Sequence, residues 1–331
     1  MSARSTLLKQ WLDRQGYRDY RLSPASEDAS FRSYLRLTSA GDSRIVMDAP
    51  PDKEPCDQFI LVAEKLRAAG LSAPEIIDRN LEHGFLVLTD FGSSDYLSQL
   101  GPETEAALYG DALAALRLMQ ARIDADDLPP YDSALLHREM DLFHDWFLGK
   151  LLGISLSPQQ QASWQSIKQR LVDNALAQPQ VFVHRDYHSR NLMKLDHMNP
   201  GILDFQDAVK GPVTYDLVSL LRDCYIAWPP PRVEQLALGY YEFARASELV
   251  EVESGQFMQW FNLMGVQRHL KAVGIFSRLN IRDGKAGYLA DIPRTLEYLR
   301  QVSAGENSLA GLSGLIAQLD LDSRMNAMIK A

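Results

Sequence analysis

Apolar positions along this chain switch repeatedly between helical and strand-like spacing. Leu7, Leu8, Trp11 and Leu12 recur at helical spacing and predict a short amphipathic helix over the first 15 residues, stopped near Gly16. Short β-prone runs follow at Tyr20 to Ser23, Phe31 to Thr38 and Arg44 to Met47, the last two separated by a Ser-Ala-Gly-Asp-Ser turn, so a small antiparallel sheet is expected. Pro50, Pro51 and Pro55 then break the chain. Phe59, Leu61, Val62, Leu66 and Ala69 predict a helix ended by Gly70, and Pro74 to Ile77 and Gly84 to Leu88 add two strands. After Thr89-Asp90-Phe91-Gly92-Ser93-Ser94, which has the composition of a connector, helical periodicity takes over. It runs through Glu103 to Ala121, Leu135 to Leu152, Gln159 to Ala177, Tyr215 to Tyr225, Val233 to Glu248, Phe257 to Leu279 and Ala290 to Val302. One interval breaks it: Val181 to Val183, Leu192 to Leu195 and Ile202-Leu203 are too short for helices and suit small strands that carry loops.

Composition narrows the classes. With 331 residues, 46% hydrophobic and 23% charged, the chain is long enough for one large domain or two packed lobes, and disordered or fibrous readings fall away. A net charge of −9 argues against a non-specific nucleic-acid binder, although a local basic pocket stays open. Cys56 and Cys224 form no CxxC pair, which suggests neither a disulfide framework nor a structural zinc site. Charged residues interrupt the start, and no run approaches a membrane span, so a cytoplasmic protein with no membrane or protein partner is expected.

The informative stretch is His184-Arg185-Asp186-Tyr187-His188-Ser189-Arg190-Asn191, followed 13 residues after Asn191 by Asp204-Phe205-Gln206. It fits the pattern HRDxxxxN and then a near-DFG. Phosphoryl transfer needs positioning and charge neutralisation more than covalent chemistry: one carboxylate to orient the acceptor hydroxyl, and a carboxamide with a second carboxylate to hold Mg²⁺ on the phosphates. Asp186, Asn191 and Asp204 supply these groups. A solvated polar loop is the bland alternative.

On these residues the chain resembles the aminoglycoside phosphotransferase and choline kinase branch of the protein-kinase-like superfamily. The resemblance implies an α+β, two-lobed protein-kinase-like fold. Its small antiparallel-sheet N-lobe, residues 1–90, would bind nucleotide, and its mainly helical C-lobe, residues 91–331, would bind the acceptor and carry catalysis. It further implies ATP as co-substrate, Asp186 as catalytic base, Asn191 and Asp204 as magnesium ligands, and adenine bound by the carbonyl of Asp90 and the N–H of Gly92. Two family features are missing. No GxG exists, so Ser23 to Ser30, with Ser26 and Ser30, is the positional substitute for a Gly-rich phosphate loop, or else a plain hairpin loop. Met47 stands near where a phosphate-binding lysine is expected, which leaves Arg32 or Lys53 as candidates, or as ordinary exposed charges. Glu64 reads as a solvated helix residue, and Asp216 as structural support or a helix-terminus residue.

Only 11 residues separate Asp204 from Asp216, too few for a peptide platform, so a small-molecule acceptor is expected. Val46 to Pro51, Tyr131 to Phe147 and Gln267 to Arg278 resemble bacterial anomeric kinases acting on N-acetylmuramate and N-acetylglucosamine. This implies a sugar substrate, a sugar 1-phosphate product and a place in cell-wall sugar recycling. Arg268 and Arg278, ten apart on one predicted helix, would then receive a carboxylate, and Glu139 a sugar hydroxyl. Kinases of other small alcohols and a nucleotide-sensing pseudokinase are the rival readings.

Overall fold

The computed structural model describes residues 3–26, 31–39 and 41–330. Helix α1 (Ala3–Arg14) precedes strands β1 (Arg21–Ser26), β2 (Ser33–Ser39) and β3 (Asp42–Asp48), helix α2 (Asp57–Ala68), and strands β4 (Ile76–Asn80) and β5 (Phe85–Thr89). The five strands form one antiparallel sheet in the order β1-β2-β3-β5-β4, as the alternating runs predict. Leu8, Trp11 and Leu12 of α1 bury against Leu37, Val46, Phe85 and Val87 of the sheet. Arg4 fastens that helix by donating to Asp48 Oδ1 at 2.6 Å and to the His83 carbonyl at 2.7 Å.

The rest is chiefly helix. In chain order it comprises α3 (Tyr96–Gln99), α4 (Glu105–Arg122), α5 (Ser133–Leu142), α6 (Pro158–Leu176), β6 (Gln180–Val183), β7 (Leu192–Met193), β8 (Gly201–Ile202), β9 (Val209–Pro212), α7 (Tyr215–Leu221), α8 (Pro230–Ala246), α9 (Ser254–Asp283), α10 (Ile292–Gly305), α11 (Ala310–Gln318) and α12 (Leu321–Lys330). The helix expected through Leu152 is α up to Leu142 and then π-wound over Phe143–Leu151. Helix α7 stops short of Tyr225 because Arg222 leaves helical geometry, at φ −119° and ψ 53°. No helix among the described residues is long and apolar enough to cross a membrane.

The chain divides into two compact units, Met1–Ala112 with Arg190–Asp207, and Leu113–Ser189 with Ala208–Ala331. The first holds the five-stranded sheet and the β7–β8 hairpin, whose Ile202 and Lys194 N–H groups donate to Ser72 at 2.7 Å and to Ser94 at 2.8 Å. The second holds the β6–β9 hairpin and is organised on the 30-residue helix α9, which packs against α5, α6, α7, α10 and the π-wound segment. That close packing needs Gly274, where a Cβ would sit 2.4 Å from the Leu142 carbonyl carbon.

Candidate active site

The HRD loop belongs to the helical unit. Val181, Phe182 and Val183 are buried in β6, whose pairing with β9 ends at Val183 opposite Val209, so the chain leaves the hairpin at His184. Arg185 then adopts φ 76°, a left-handed conformation that a bulky side chain rarely takes and that its surroundings must enforce. Asp216, in the first turn of α7 and fully buried, accepts the N–H groups of His184 at 2.7 Å and Arg185 at 3.0 Å. Burial, opposed by those two bonds and reinforced by the charge of Asp186, pushes Asp216 up to about 7. At the other end of the loop, Asp223 Oδ2 accepts from the Ser189 N–H at 3.0 Å and hydroxyl at 2.5 Å.

Asp186 faces a cavity of about 80 Å³ that is also lined by His188, Tyr215, Cys224, Arg268 and Lys271. Lys271 Nζ donates to Tyr215 Oη at 3.1 Å and lies 3.3 Å from Glu139 Oε1. Glu139 also pairs with Arg185 and accepts from Tyr131 Oη, while Gln267 Nε2 reaches it at 3.2 Å. Burial opposes ionisation of Glu139, but Lys271 and Arg185 prevail and hold it below the usual carboxylate range. Burial likewise disfavours the Asp186 anion, yet Lys271, His188, Arg185 and Arg268 bring it down to about 2. Asp186 is therefore ionised at neutral pH and within a ring of cations.

The near-DFG turn belongs to the sheet unit. Pairing of Leu192 with Ile202 in the β7–β8 hairpin brings Asn191 beside Asp204, with Asn191 Nδ2 3.2 Å from Asp204 Oδ2 and Gln206 Nε2 donating to Oδ1 at 2.8 Å. Asp204 takes φ 62° and is exposed, while Phe205 packs on Phe59 with ring centroids 4.9 Å apart. In the same unit Met47 is fully buried opposite Tyr34, and Glu64 is exposed. Arg32, just before β2, pairs with Glu54 at 2.8 Å; Lys53 Nζ stands 4.4 Å above the exposed Phe31 ring. Asp90 is gripped by Arg36 at 2.6 and 3.1 Å, and its Oδ1 also accepts the Gly92 N–H at 2.9 Å. Ser26 ends β1, but its side chain and Ser30 lie outside the described residues.

A model of the phosphotransferase enzyme family matches residues 21–249. The chain belongs to that family. It is 46% identical over 305 residues to an N-acetylmuramate/N-acetylglucosamine kinase of Pseudomonas putida, covering 92% of this chain and 89% of that one. Its identity to a kinase of the same name from Neisseria meningitidis is 43% over 323 residues, covering 96% of each chain. Among solved structures, choline kinase LicA from Streptococcus pneumoniae superposes with TM-score 0.64 at 11% identity, over 90% of this chain and 99% of that one. The ADP-bound aminoglycoside phosphotransferase APH(2'')-Ib superposes with TM-score 0.59 at 14% identity, over 90% and 98%. The fold is thus α+β and protein-kinase-like, with an antiparallel-sheet N-terminal region and a helical C-terminal region.

For this phosphotransferase the structure sorts the sequence candidates. Arg268 reaches the Asp186 cavity; Arg278 does not line it. The cavity side of α9 carries residues 268, 271, 272, 275 and 276, a helical stripe, and Arg278 lies beyond its end, about 15 Å along the helix axis from Arg268. Glu139 lies among buried partners, 5% exposed, and does not line the cavity. Lys271 and Arg36 were not singled out from sequence. Lys271 lies inside the Gln267 to Arg278 stretch, where a lysine three residues after Arg268 on a helix was the available signal. His269 is a helix hydrogen-bonder whose Nε2 meets the Arg222 carbonyl at 3.0 Å, and burial pushes it down to about 3.

Proposed function

We propose that this chain transfers the γ-phosphoryl group of ATP to the anomeric hydroxyl of N-acetylmuramate and N-acetylglucosamine, in the cytoplasm, as a step in recycling cell-wall sugars. The observation that carries the reading is the 43–47% identity to kinases named for these two sugars, extending over at least 90% of this chain. Asp186 is the group that meets the acceptor. As the C1 oxygen forms its bond to the γ-phosphorus, the bond from that phosphorus to the β,γ-bridging oxygen breaks and ADP leaves with the electron pair. Asp186 accepts the hydroxyl hydrogen bond and takes the proton late. A carboxylate held near 2 is a weak base, so its contribution is chiefly orientation, which a loose phosphoryl-transfer transition state asks for.

Asn191 and Asp204 would hold magnesium. A carboxylate and a carboxamide 3.2 Å apart would offer two hard oxygens once the amide turned, the kind of donors this cation prefers. When bound, the ion neutralises charge on the phosphates. We assign residues 1–90 to nucleotide binding and 91–331 to catalysis and acceptor binding. Adenine would meet the Asp90 carbonyl and the Gly92 N–H, the latter by exchange with the Asp90 carboxylate. Arg32, by exchanging Glu54 for phosphate, and Lys53 are the cations proposed for the phosphates.

The test is turnover of both sugars with ATP, followed by phosphorus and proton NMR of the product. Coupling from phosphorus to the C1 proton with loss of the reducing end is expected. Phosphate at C6, or turnover of neither sugar, returns the protein to the wider class of small-alcohol kinases.

A further inference from the structure

We infer that Arg268 is the receptor for the carboxylate of an acidic acceptor sugar and sets the preference between N-acetylmuramate and N-acetylglucosamine; this rests on the function proposed above. Three buried or half-buried cations stand around Asp186 and Glu139, and two of them are committed. Arg185 pairs with Glu139, and Lys271 is shared by Glu139 at 3.3 Å and Tyr215 at 3.1 Å. Arg268 is only 5% exposed, yet it forms no ion pair among the described residues. Its hydrogen bond is to the Cys224 sulfur at 3.7 Å, a weak acceptor, and its Nε is buried with no partner. Burial opposes its charge, and Asp186 and Asp223 offset that opposition through space, with no carboxylate among the described residues in contact with the guanidinium. Helix α9 nevertheless brings this guanidinium to the wall of the cavity that holds Asp186.

An anionic ligand entering that cavity would supply a contacting carboxylate through a planar, two-pronged bond that only a guanidinium offers. N-acetylmuramate differs from N-acetylglucosamine by a lactyl ether at C3, two ring carbons from C1, that ends in a carboxylate. With the C1 hydroxyl on Asp186, the C3 substituent lies on the same end of the ring and within reach of the neighbouring Arg268. The cavity of about 80 Å³ admits these two polar groups and not a whole amino sugar, and Tyr225, Ile275 and Phe276 on its wall suit the lactyl methyl. N-acetylglucosamine leaves the guanidinium to water.

The experiment compares kcat/KM for the two sugars, and for the uncharged carboxamide of N-acetylmuramate, in wild type, Arg268→Met and Arg268→Lys. Arg268→Met is expected to lower the N-acetylmuramate to N-acetylglucosamine ratio of kcat/KM by about 10²-fold, the scale for a desolvated charge pair losing one member. Arg268→Lys should fall between. Wild type should prefer the acid over its carboxamide, and Arg268→Met should treat them alike. Melting temperatures of the variants, read beside the rates, separate misfolding from specificity. An unchanged sugar ratio, or an acid-to-carboxamide preference that survives in Arg268→Met, overturns the inference while the proposed function stands. Failure of wild type to phosphorylate either sugar overturns both.

Discussion

Asp186 and Asp204 are both acidic residues on short loops beside small hairpins, yet their surroundings are opposite. Asp186 is half-buried and ringed by Lys271, His188, Arg185 and Arg268, with its loop tied down by Asp216 and Asp223. Asp204 is exposed and meets the side-chain amides of Asn191 and Gln206. A carboxylate already balanced by the protein's own cations has little left for a metal ion, whereas an exposed one beside a carboxamide is open to a hydrated cation. On the proposed function, the same side-chain chemistry would divide into a prebuilt hydroxyl acceptor and a metal-binding group that its ligands complete.

Three substitutions probe that division, in descending order of expected effect. Asp186→Asn should lower turnover by about 10²-fold or more while nucleotide affinity stays within severalfold, because the carboxylate orients the acceptor and not the nucleotide. Turnover near wild type would erase the distinction between the two loops. Glu139→Ala should destabilise the fold by about 3 kcal/mol in denaturant unfolding, since Lys271 and Arg185 would remain buried without their shared anion. A change below about 1 kcal/mol would mean that the cations around Asp186 are not held by Glu139. Asp204→Ala should raise the Mg²⁺ concentration for half-maximal activity about tenfold or more, leaving the neutral Asn191 to act alone. An unmoved magnesium titration would remove Asp204 from metal binding.

What sequence made readable follows from how local each interaction is. The HRD loop, Asn191 and Asp204 are legible because their spacing is written in contiguous chain, and the buried triplet before His184 marks the strand that presents the HRD loop. Asp216 was legible as support but not its partners, the backbone N–H groups 31 and 32 residues upstream. Glu139 is offered as a sugar contact only by resemblance; its partners Arg185, 46 residues on, and Gln267, 128 residues on, are pairings no local pattern announces. Arg36 escaped notice for the same reason, as Asp90 lies 54 residues away. Strand β9 was missed because Val209-Lys210-Gly211-Pro212 carries turn residues and owes its extension to pairing with β6.

The central claim, that Asp186 serves as an acceptor kept ionised by its cations, is tested most directly by the pH dependence of kcat/KM in wild type and Lys271→Met measured side by side. Asp186 acts when ionised, so activity is lost as pH falls through its pKa, which lies near 2 rather than the ordinary 3.8. Lys271 is the strongest of the charges that lower it; Arg185, His188 and Arg268 remain in the variant, with Asp216 and Tyr215 on the facing helix. Removing the ammonium must raise the pKa, so the acid limb of Lys271→Met should lie at higher pH than that of wild type, with the alkaline side little displaced. Superimposable acid limbs in the two enzymes would contradict the account.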